Sequence, residues 1–418
     1  MPITSFPQQG SSSGYPVYVT FDGTNTDSFG RLRVSEPFTL FDSQNRYQAD
    51  PQFDTSTATG GSTTYLPNES SLQMSVTTSS GSEVVRQTYR CMPYQPGKGL
   101  LFLGTFVMNS AKTGLRQRVG YFGTQNGVYF QLNDSTKSFV MRTYISGSVD
   151  DVTRKVDQSS WNGDKLDGTG PSGLTLDLTK PQILWMDFEW LGVGSVRCGF
   201  IINGQYIVCH TYNTANVYGS SVYMTTAILP VRYEITNTSA TASSSSMKQI
   251  CSSVVSEAGF EEAKAQSVVR RTSVLATIGN TFLPLISIRL NSSYLDAVVL
   301  PQLYNVLPTT NQNYEVCLMK NSTLTGASWV TGTYAHVDYD VSATAMTTSA
   351  TGIVLNDFVT SSSQGRSTLQ IPTGYNFDLQ LGASLANVSD TYTVGIRTVS
   401  GATTGDAVAS LSFYDLTL

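Results

Sequence analysis

The stretch "SVRCGFIINGQYIVCHTY" (Ser195–Tyr212) decides how this sequence is interpreted, because it suits either a cluster of ligands or a β-hairpin. It holds two of the five cysteines and one of the two histidines in a chain of 418 residues. Asn203 and Gly204 lie between two apolar runs, and both residue types tolerate the positive φ of a two-residue type I′ turn. The stretch therefore predicts two antiparallel strands joined by a tight turn.

Counting outward from this turn gives the predicted register, in which Cys198 faces Cys209 and Arg197 faces His210. Because side chains alternate between the two faces of a strand, one face is apolar. That inner face carries Cys198, Phe200, Ile202, Ile207 and Cys209. The outer face carries Arg197, Gly199, Ile201, Tyr206, Val208 and His210. We expect Arg197, Tyr206 and His210 to form a face that meets a cleft, a neighbour or solvent and acts as a contact.

The predicted faces argue against chemistry at the two cysteines. A Cys/Cys/His metal site needs its ligands on one side, whereas here the cysteines lie opposite the histidine. A disulfide between Cys198 and Cys209 stays open, since the Cα atoms of facing residues lie about 5.5 Å apart. Five cysteines at irregular spacing do not form a recognisable disulfide framework, so buried free thiols are favoured. We expect no metal and no cofactor.

The two histidines suit structural roles better than catalytic ones. A cation such as Arg197 disfavours the protonated form of His210 beside it. The other histidine, His336, lies far along the sequence, and no G-x-S-x-G motif accompanies either of them. We therefore expect no catalytic residue in this chain.

Two other patterns suggest a site. Asp187 and Glu189 share a face of a predicted strand, and paired carboxylates are the equipment of glycosidases. Trp185 and Trp190 flank them and offer rings for stacking on a sugar. Acidic pairs on strands more often bind a neighbouring arginine, so catalysis is the less favoured alternative. The Asp-rich segment Asp150–Gly170 lacks the spacing of a calcium loop and suits an acidic surface loop.

Composition predicts a mostly β protein and excludes several partners. Charged residues make up 13% of the chain and the net charge is −5, so a phosphate-binding surface for nucleic acid is not expected. No apolar stretch approaches the ~20 residues that span a bilayer, and the N-terminus lacks the pattern of a secretory signal. Short runs rich in Val, Tyr, Phe and Thr, separated by turn residues, are typical of sandwiches and jelly rolls.

These runs divide the chain into four predicted segments. They are an extended N-terminal arm at residues 1–36, a jelly-roll-like β-sandwich domain at 37–250, a connector at 251–273 and a second, smaller β-sandwich domain at 274–418. The arm is too polar to fold alone, and it suits a disordered terminus or an arm that docks on a neighbour equally well. Ser256–Arg271 is the one helix-compatible stretch.

Long phrases of the sequence resemble a family of tailed-phage virion structural proteins, with related segments in other large double-stranded DNA viruses. The phrases are Thr26–Tyr47 ("TDSFGRLRVSEPFTLFDSQNRY"), Arg116–Leu132, Asp187–Val217 and Leu229–Thr238. "SEAGFE" is also similar to the family's S-E-G-G-[FY]-E, with Ala258 in place of the first glycine. The resemblance covers residues 26–270. It implies a structural role, with no catalytic residues to carry over.

Together these observations predict a non-enzymatic structural component of a virus particle, assembled in the host cytoplasm. We expect a symmetric oligomer, with a homotrimer favoured, in the tail, fibre or baseplate, whose N-terminal arm binds neighbouring virion proteins. Three alternatives stay open. They are a capsid decoration or cement protein, a module that binds host-surface glycan through Trp185, Trp190 or Trp329, and a polysaccharide-degrading enzyme that uses Asp187 and Glu189.

Overall fold

The computed structural model describes residues 7–8, 17–18, 36–217, 219–261, 265–332, 336–347, 352–360, 367–370, 377–399, 401 and 404–417. Within these ranges the regular structure is β, apart from two 3₁₀-helices at Gln158–Ser160 and Phe377–Leu379. No helix of the described ranges has the length and apolar character needed to cross a membrane. Most of the predicted arm lies outside them. Two short strands of the arm, β1 (Pro7–Gln8) and β2 (Val17–Tyr18), pair antiparallel with each other.

The first body contains the next fifteen strands of the chain. They are β3 (Phe38–Gln44), β4 (Phe53–Ala58), β5 (Ser62–Leu66), β6 (Ser71–Val76), β7 (Glu83–Thr88), β8 (Leu100–Val107), β9 (Leu115–Phe122), β10 (Gly127–Asn133), β11 (Thr136–Arg142), β12 (Lys155–Asp157), β13 (Gln182–Phe188), β14 (Val196–Ile202), β15 (Gln205–Tyr212), β16 (Val231–Asn237) and β17 (Ser245–Ser256).

These strands form two antiparallel sheets that pack face to face. One has the order β12-β11-β10-β9-β16-β7-β4, and the other has the order β15-β14-β13-β8-β17-β6-β5, with β3 also paired to β17. Their inner faces meet in an aromatic core, where the Phe130 ring lies 5.2 Å from Phe200 and 5.4 Å from Phe139. The predicted β-sandwich of the first domain is confirmed.

The second body contains the remaining twelve strands. They are β18 (Ala265–Ile278), β19 (Leu283–Leu290), β20 (Val299–Pro308), β21 (Asn313–Lys320), β22 (Leu324–Thr325), β23 (Val330–Thr331), β24 (Val337–Asp340), β25 (Ala345–Met346), β26 (Ile353–Thr360), β27 (Ser367–Gln370), β28 (Thr391–Thr398) and β29 (Gly405–Asp415). Its sheets have the orders β18-β29-β20-β27 and β23-β24-β19-β28-β21-β26, and β22 pairs with β25. The second, smaller sandwich is confirmed as well.

The predicted connector at 251–273 and the helix-compatible stretch Ser256–Arg271 were wrong. Residues 251–256 complete β17, which pairs with β3 and β8 of the first body. Residues 265–273 belong to β18, which pairs with β29 of the second. The burial of β17 alternates almost residue by residue, and this period of two, with its β-branched valines, favours a strand over a helix.

The turn between the bodies accommodates the alanine that departs from the family phrase. Positive φ falls on Gly259, at +71°, and not on Ala258. The Ser256 hydroxyl donates to the Gly259 carbonyl at 2.6 Å and closes the turn. Ala258 therefore has a backbone conformation that a residue with a side chain adopts without strain.

An apolar contact joins the two sandwiches. The rings of Phe38 and Phe260 in the first body meet Phe377 of the second, with centroids 6.1 Å and 5.1 Å from it. Val298, Leu300 and Leu416 of the second body belong to the same core cluster. Backbone bonds add to the contact, since the Ala383 N–H donates to the Tyr89 carbonyl at 2.8 Å. Side chains of the second body therefore extend the core of the first body across the junction, while the second body also has a core cluster of its own.

This junction predicts that the two sandwiches unfold together. Phe377→Ala should lower the free energy of unfolding by about 3 kcal/mol, because it removes a buried ring from the junction. Phe358→Ala is the matched control, since that ring is 66% exposed, and its effect should stay within about 0.5 kcal/mol. Denaturant titration followed by fluorescence measures both. Two separate transitions, with only one shifted by Phe377→Ala, would show that the junction does not couple the two sandwiches.

Candidate functional site

The hairpin has the predicted turn. Asn203 and Gly204 have φ of 54° and 76°, as a type I′ turn requires. The four residue pairs nearest the turn have the predicted register. Phe200 is buried, whereas Arg197 is exposed. The predicted inner and outer faces are therefore correct along β14, and in β15 they are correct close to the turn.

Further from the turn, a β-bulge changes the register. Cys198 pairs with His210 and not, as predicted, with Cys209. Arg197 pairs with Thr211 and not with His210. The bulge places one extra residue, Cys209, in β15, and such an insertion shifts the alternation of the residues that follow. His210 therefore lies on the buried side with Cys198, and its predicted place on the Arg197/Tyr206 face was wrong.

Both hairpin cysteines are buried free thiols. Burial raises the pKa of Cys209 to about 12 and raises that of Cys198 well above its ordinary value. The thiolate is the form that attacks carbon or binds metal, so neither group is prepared for that chemistry. The two side chains pack as small apolar groups.

His210 is held neutral inside the fold. Its Nδ1 accepts a hydrogen bond from the Asn162 N–H at 3.4 Å, and its ring lies 4.5 Å from that of Tyr212. Burial lowers its pKa to about 4. The segment that supplies Asn162 also covers the outer edge of β15, where the Gly163 N–H donates to the Cys209 carbonyl at 2.9 Å. His210 thus helps to hold the segment that covers the edge of the sheet at β15.

Because Asn162 and Gly163 cover the edge of β15, the Asp150–Gly170 segment that contains them has a structural role. The Asp150 carboxylate accepts the backbone N–H groups of Val152 and Thr153, which lowers its pKa. The Asp164 carboxylate accepts the N–H groups of Leu166 and Ser172 at 2.8 and 2.7 Å. These carboxylates stabilise turns. Across the described ranges, no group of three or more His, Cys, Asp or Glu is arranged to hold a metal ion.

Trp185 is covered and does not offer a stacking face. Its indole is 3% exposed, its N–H donates to the Ile207 carbonyl at 3.3 Å, and the Tyr206 ring lies edge-on 5.4 Å away. Gly199 leaves the space for it, because a Cβ there would lie 2.9 Å from the indole nitrogen and 1.9 Å from the Ile207 carbonyl oxygen. Burial thus removes Trp185 from the predicted glycan-stacking pair.

The other two tryptophans proposed for stacking are also engaged. The Trp190 N–H donates to the Met224 carbonyl at 3.3 Å, and its ring packs edge-on against Tyr94 at 5.5 Å. The Arg289 guanidinium covers the Trp329 ring at 4.2 Å. Trp190 is held by a hydrogen bond and ring packing, and Trp329 is held by a stacked cation.

The predicted acidic pair lies in a cleft of about 400 Å³ lined by Asp187, Glu189, Ser195, Arg197 and Glu257. Arg197 forms an ion pair with Asp187. Glu189 lies just past the end of β13 and accepts hydrogen bonds from the N–H and hydroxyl of Ser195. Burial, reinforced by the charge of Asp187, raises the pKa of Glu257. Asp187 thus binds an arginine, the arrangement that acidic pairs on strands commonly adopt.

Charged side chains on the outer face of the seven-stranded sheet pair with one another. Glu234 is buried between Arg232 and Arg118, with nitrogen–oxygen distances of 2.6 and 3.4 Å. The Arg118 guanidinium also lies 4.9 Å above the Tyr129 ring. Burial favours the neutral carboxylic acid, but the two arginines outweigh it and lower the pKa of Glu234. These charges stabilise one another within the sheet.

A groove of about 680 Å³ lies where the two bodies meet, and the sequence did not predict it. The first body contributes Gln44, Arg46, Tyr47, Gln48, Asp50, Pro51, Gln52, Tyr89 and Arg90, and the second contributes Lys320, Asp378 and Gln380. Tyr47 is 81% exposed. The one available signal was the amide-rich phrase Phe41–Gln52, but its partners lie about three hundred residues further along the chain.

The sequence matches no protein-family profile and no curated protein. Among solved structures, the fold is similar to the catalytic domain of an endo-1,3-beta-glucanase (laminarinase) from Thermotoga petrophila, with TM-score 0.37, 9% identity and coverage of 54% of this chain and 100% of that one. It is similar to the CBM2 module of the evolved Dit of Lactobacillus casei phage J-1, with TM-score 0.33, 7% identity and coverage of 55% and 100%. It is also similar to the carbohydrate recognition domain of Emp46p, with TM-score 0.31, 12% identity and coverage of 52% of this chain and 95% of that one. Similarity at this level carries no conclusion about function.

The lowered pKa of His210 predicts a loss of stability in mild acid. The unfolded chain binds a proton near pH 6.5 and the folded chain only near pH 4, so the folded state loses stability as the pH falls through this window. The His210 contribution should be at most about 3 kcal/mol, and in His210→Gln, which cannot titrate, only the smaller acid loss from carboxylates with lowered pKa values should remain. NMR titration of the imidazole signal that His210→Gln removes measures the pKa directly. A pKa near 6.5 would contradict the buried neutral state.

Proposed function

We propose that this protein is a non-enzymatic structural subunit of a tailed-phage particle, made in the host cytoplasm and assembled into a symmetric oligomer. The observation that carries the proposal is where the family-like phrases fall in the fold. Arg116–Leu132 spans β9 and β10, and Asp187–Val217 spans β13 to β15. They contribute strands to both sheets of one sandwich, and in the one cleft that the second phrase lines Asp187 is paired with Arg197. The resemblance is thus to a scaffold.

The chemistry of the titratable groups supports a non-enzymatic role. The buried thiols have raised pKa values, His210 has a lowered one, and Asp187 is bound to Arg197. A general base is most effective with a pKa near the working pH, and His210 is far from that condition. Among the described residues, these groups stabilise the fold.

Location in the tail, fibre or baseplate is favoured over capsid decoration, because a second sandwich fixed to the first suits an outward-facing part. The exposed hairpin face with Arg197 and Tyr206 suits contact with a neighbouring virion protein or another copy. The N-terminal arm is proposed to bind a neighbour, and an arm that orders on binding fixes oligomers at an entropic cost. A homotrimer is the favoured symmetry.

A density map of the intact particle tests this proposal. We expect copies of both sandwiches around a symmetry axis of the tail apparatus, with residues 1–36 in contact with an adjacent subunit. Copies spread over the capsid faces would favour the decoration alternative. Purified particles that contain no peptide of this chain would contradict the proposal altogether.

Hydrolysis assays test the non-enzymatic part. Wild-type protein and Glu257→Gln, which removes the acid with the raised pKa, should release no reducing ends from host-surface polysaccharide. Glu69→Gln, at an exposed surface position, serves as the matched control. Turnover by the wild type and by Glu69→Gln, lost in Glu257→Gln, would show that the Asp187 cleft is catalytic.

A further inference from the structure

We infer that the groove between the two sandwiches binds an uncharged saccharide, with the ring of Tyr47 as its stacking platform. This inference rests on the proposed function only in taking the protein to be displayed on a particle surface. It names a site distinct from the tryptophans of β13 and its following turn, which are covered or held by the fold.

The exposed aromatic ring is the first observation. Tyr47 is 81% exposed, the highest value among the large apolar and aromatic side chains that the described ranges leave exposed. The Arg46 guanidinium lies over one face of the ring, 4.9 Å from its centre. A tyrosine ring can pack against the C–H face of a sugar while its hydroxyl stays in water, so the residue suits a wet site.

Buried polar atoms without partners are the second observation. Gln380 is 1% exposed, its amide nitrogen donates to the Cys91 carbonyl at 2.8 Å, and its Oε1 has no hydrogen-bond partner among the described residues. Arg90 Nη1 is likewise buried and without a hydrogen bond, although Asp378 lies 3.6 Å away. Gln380 and Arg90 both line the groove, so its wall contains an unused acceptor and an unused donor. A hydroxyl group both donates and accepts, so a polyol satisfies either atom.

The charges of the groove largely cancel, which selects an uncharged ligand. Arg90 lies 3.6 Å from Asp378, and Lys320 forms an ion pair with Asp390 at 3.0 Å. Gln44 and Gln48 add amides to the rest of the rim, whereas the Gln52 amide already accepts from Arg90 and donates to the Asp42 carbonyl. Pockets that bury a ligand need a few placed polar groups, and amides supply both donors and acceptors for hydroxyls.

The second body completes the groove with Lys320, Asp378 and Gln380. The Phe377 ring packs into the core of the first body. Three residues later, the side-chain amide of Gln380 donates to the Cys91 carbonyl of the same body. The two contacts fix the acceptor wall opposite the Gln44–Gln52 segment. A pre-formed site of this kind binds with little ordering cost.

Binding to an array of neutral and acidic oligosaccharides tests the inference. The full-length protein should bind neutral members, and titration calorimetry with the best of these should give about tenfold weaker binding for Tyr47→Ala. Tyr47→Phe keeps the ring and should bind within about twofold of the wild type. Phe358→Ala, a second exposed aromatic, is the matched control and should bind as the wild type does. Each variant should keep its unfolding free energy within about 0.5 kcal/mol.

Three results would overturn the inference. They are no binding to any neutral oligosaccharide, unchanged affinity in Tyr47→Ala, and binding confined to acidic members. These results leave the proposed function intact, because they say nothing of whether the chain is in the particle. Absence of the chain from particles would refute the proposed function even if the groove bound sugar.

Discussion

Three phenylalanine rings, Phe38, Phe260 and Phe377, meet where the two sandwiches join, and the rest of the structure depends on that contact. The Phe377 ring belongs to the core cluster of the first body and not to that of the second. The hydrophobic effect is the largest favourable term in folding and in domain association. Burying one body's aromatic ring in the other therefore fixes their relative position.

That fixed position explains why polar groups can be left unsatisfied beside an apolar contact. A buried amide oxygen without a partner is unfavourable by about 1–3 kcal/mol, and a fold tolerates such an atom only where other contacts hold it in place. Gln380 is held by its bond to Cys91 and by the neighbouring Phe377. The apolar contact and the polar groove are thus parts of one arrangement, in which packing pre-organises the binding groups.

Much of the fold could be predicted from the sequence, and the failures have identifiable physical causes. Period-two alternation and turn residues indicated two β-sandwiches, and Asn203-Gly204 fixed the nearest pairs of its hairpin. The bulge at Cys209 could not be predicted, because an inserted residue leaves no mark in the turn from which register is counted. The groove could not be predicted either, because Tyr47 and Gln380 come to line the same groove only after both bodies have folded and docked.

Backbone hydrogen exchange at the junction tests most directly whether the two sandwiches form one fixed unit. The Ala383 N–H, which donates to the Tyr89 carbonyl, crosses from one body to the other. If the bodies are joined as described, this amide should exchange as slowly as the amides of the central strand β16, through global unfolding only. Exchange at the rate of an unstructured peptide would show that the bodies move independently, and it would remove the basis for a pre-formed groove.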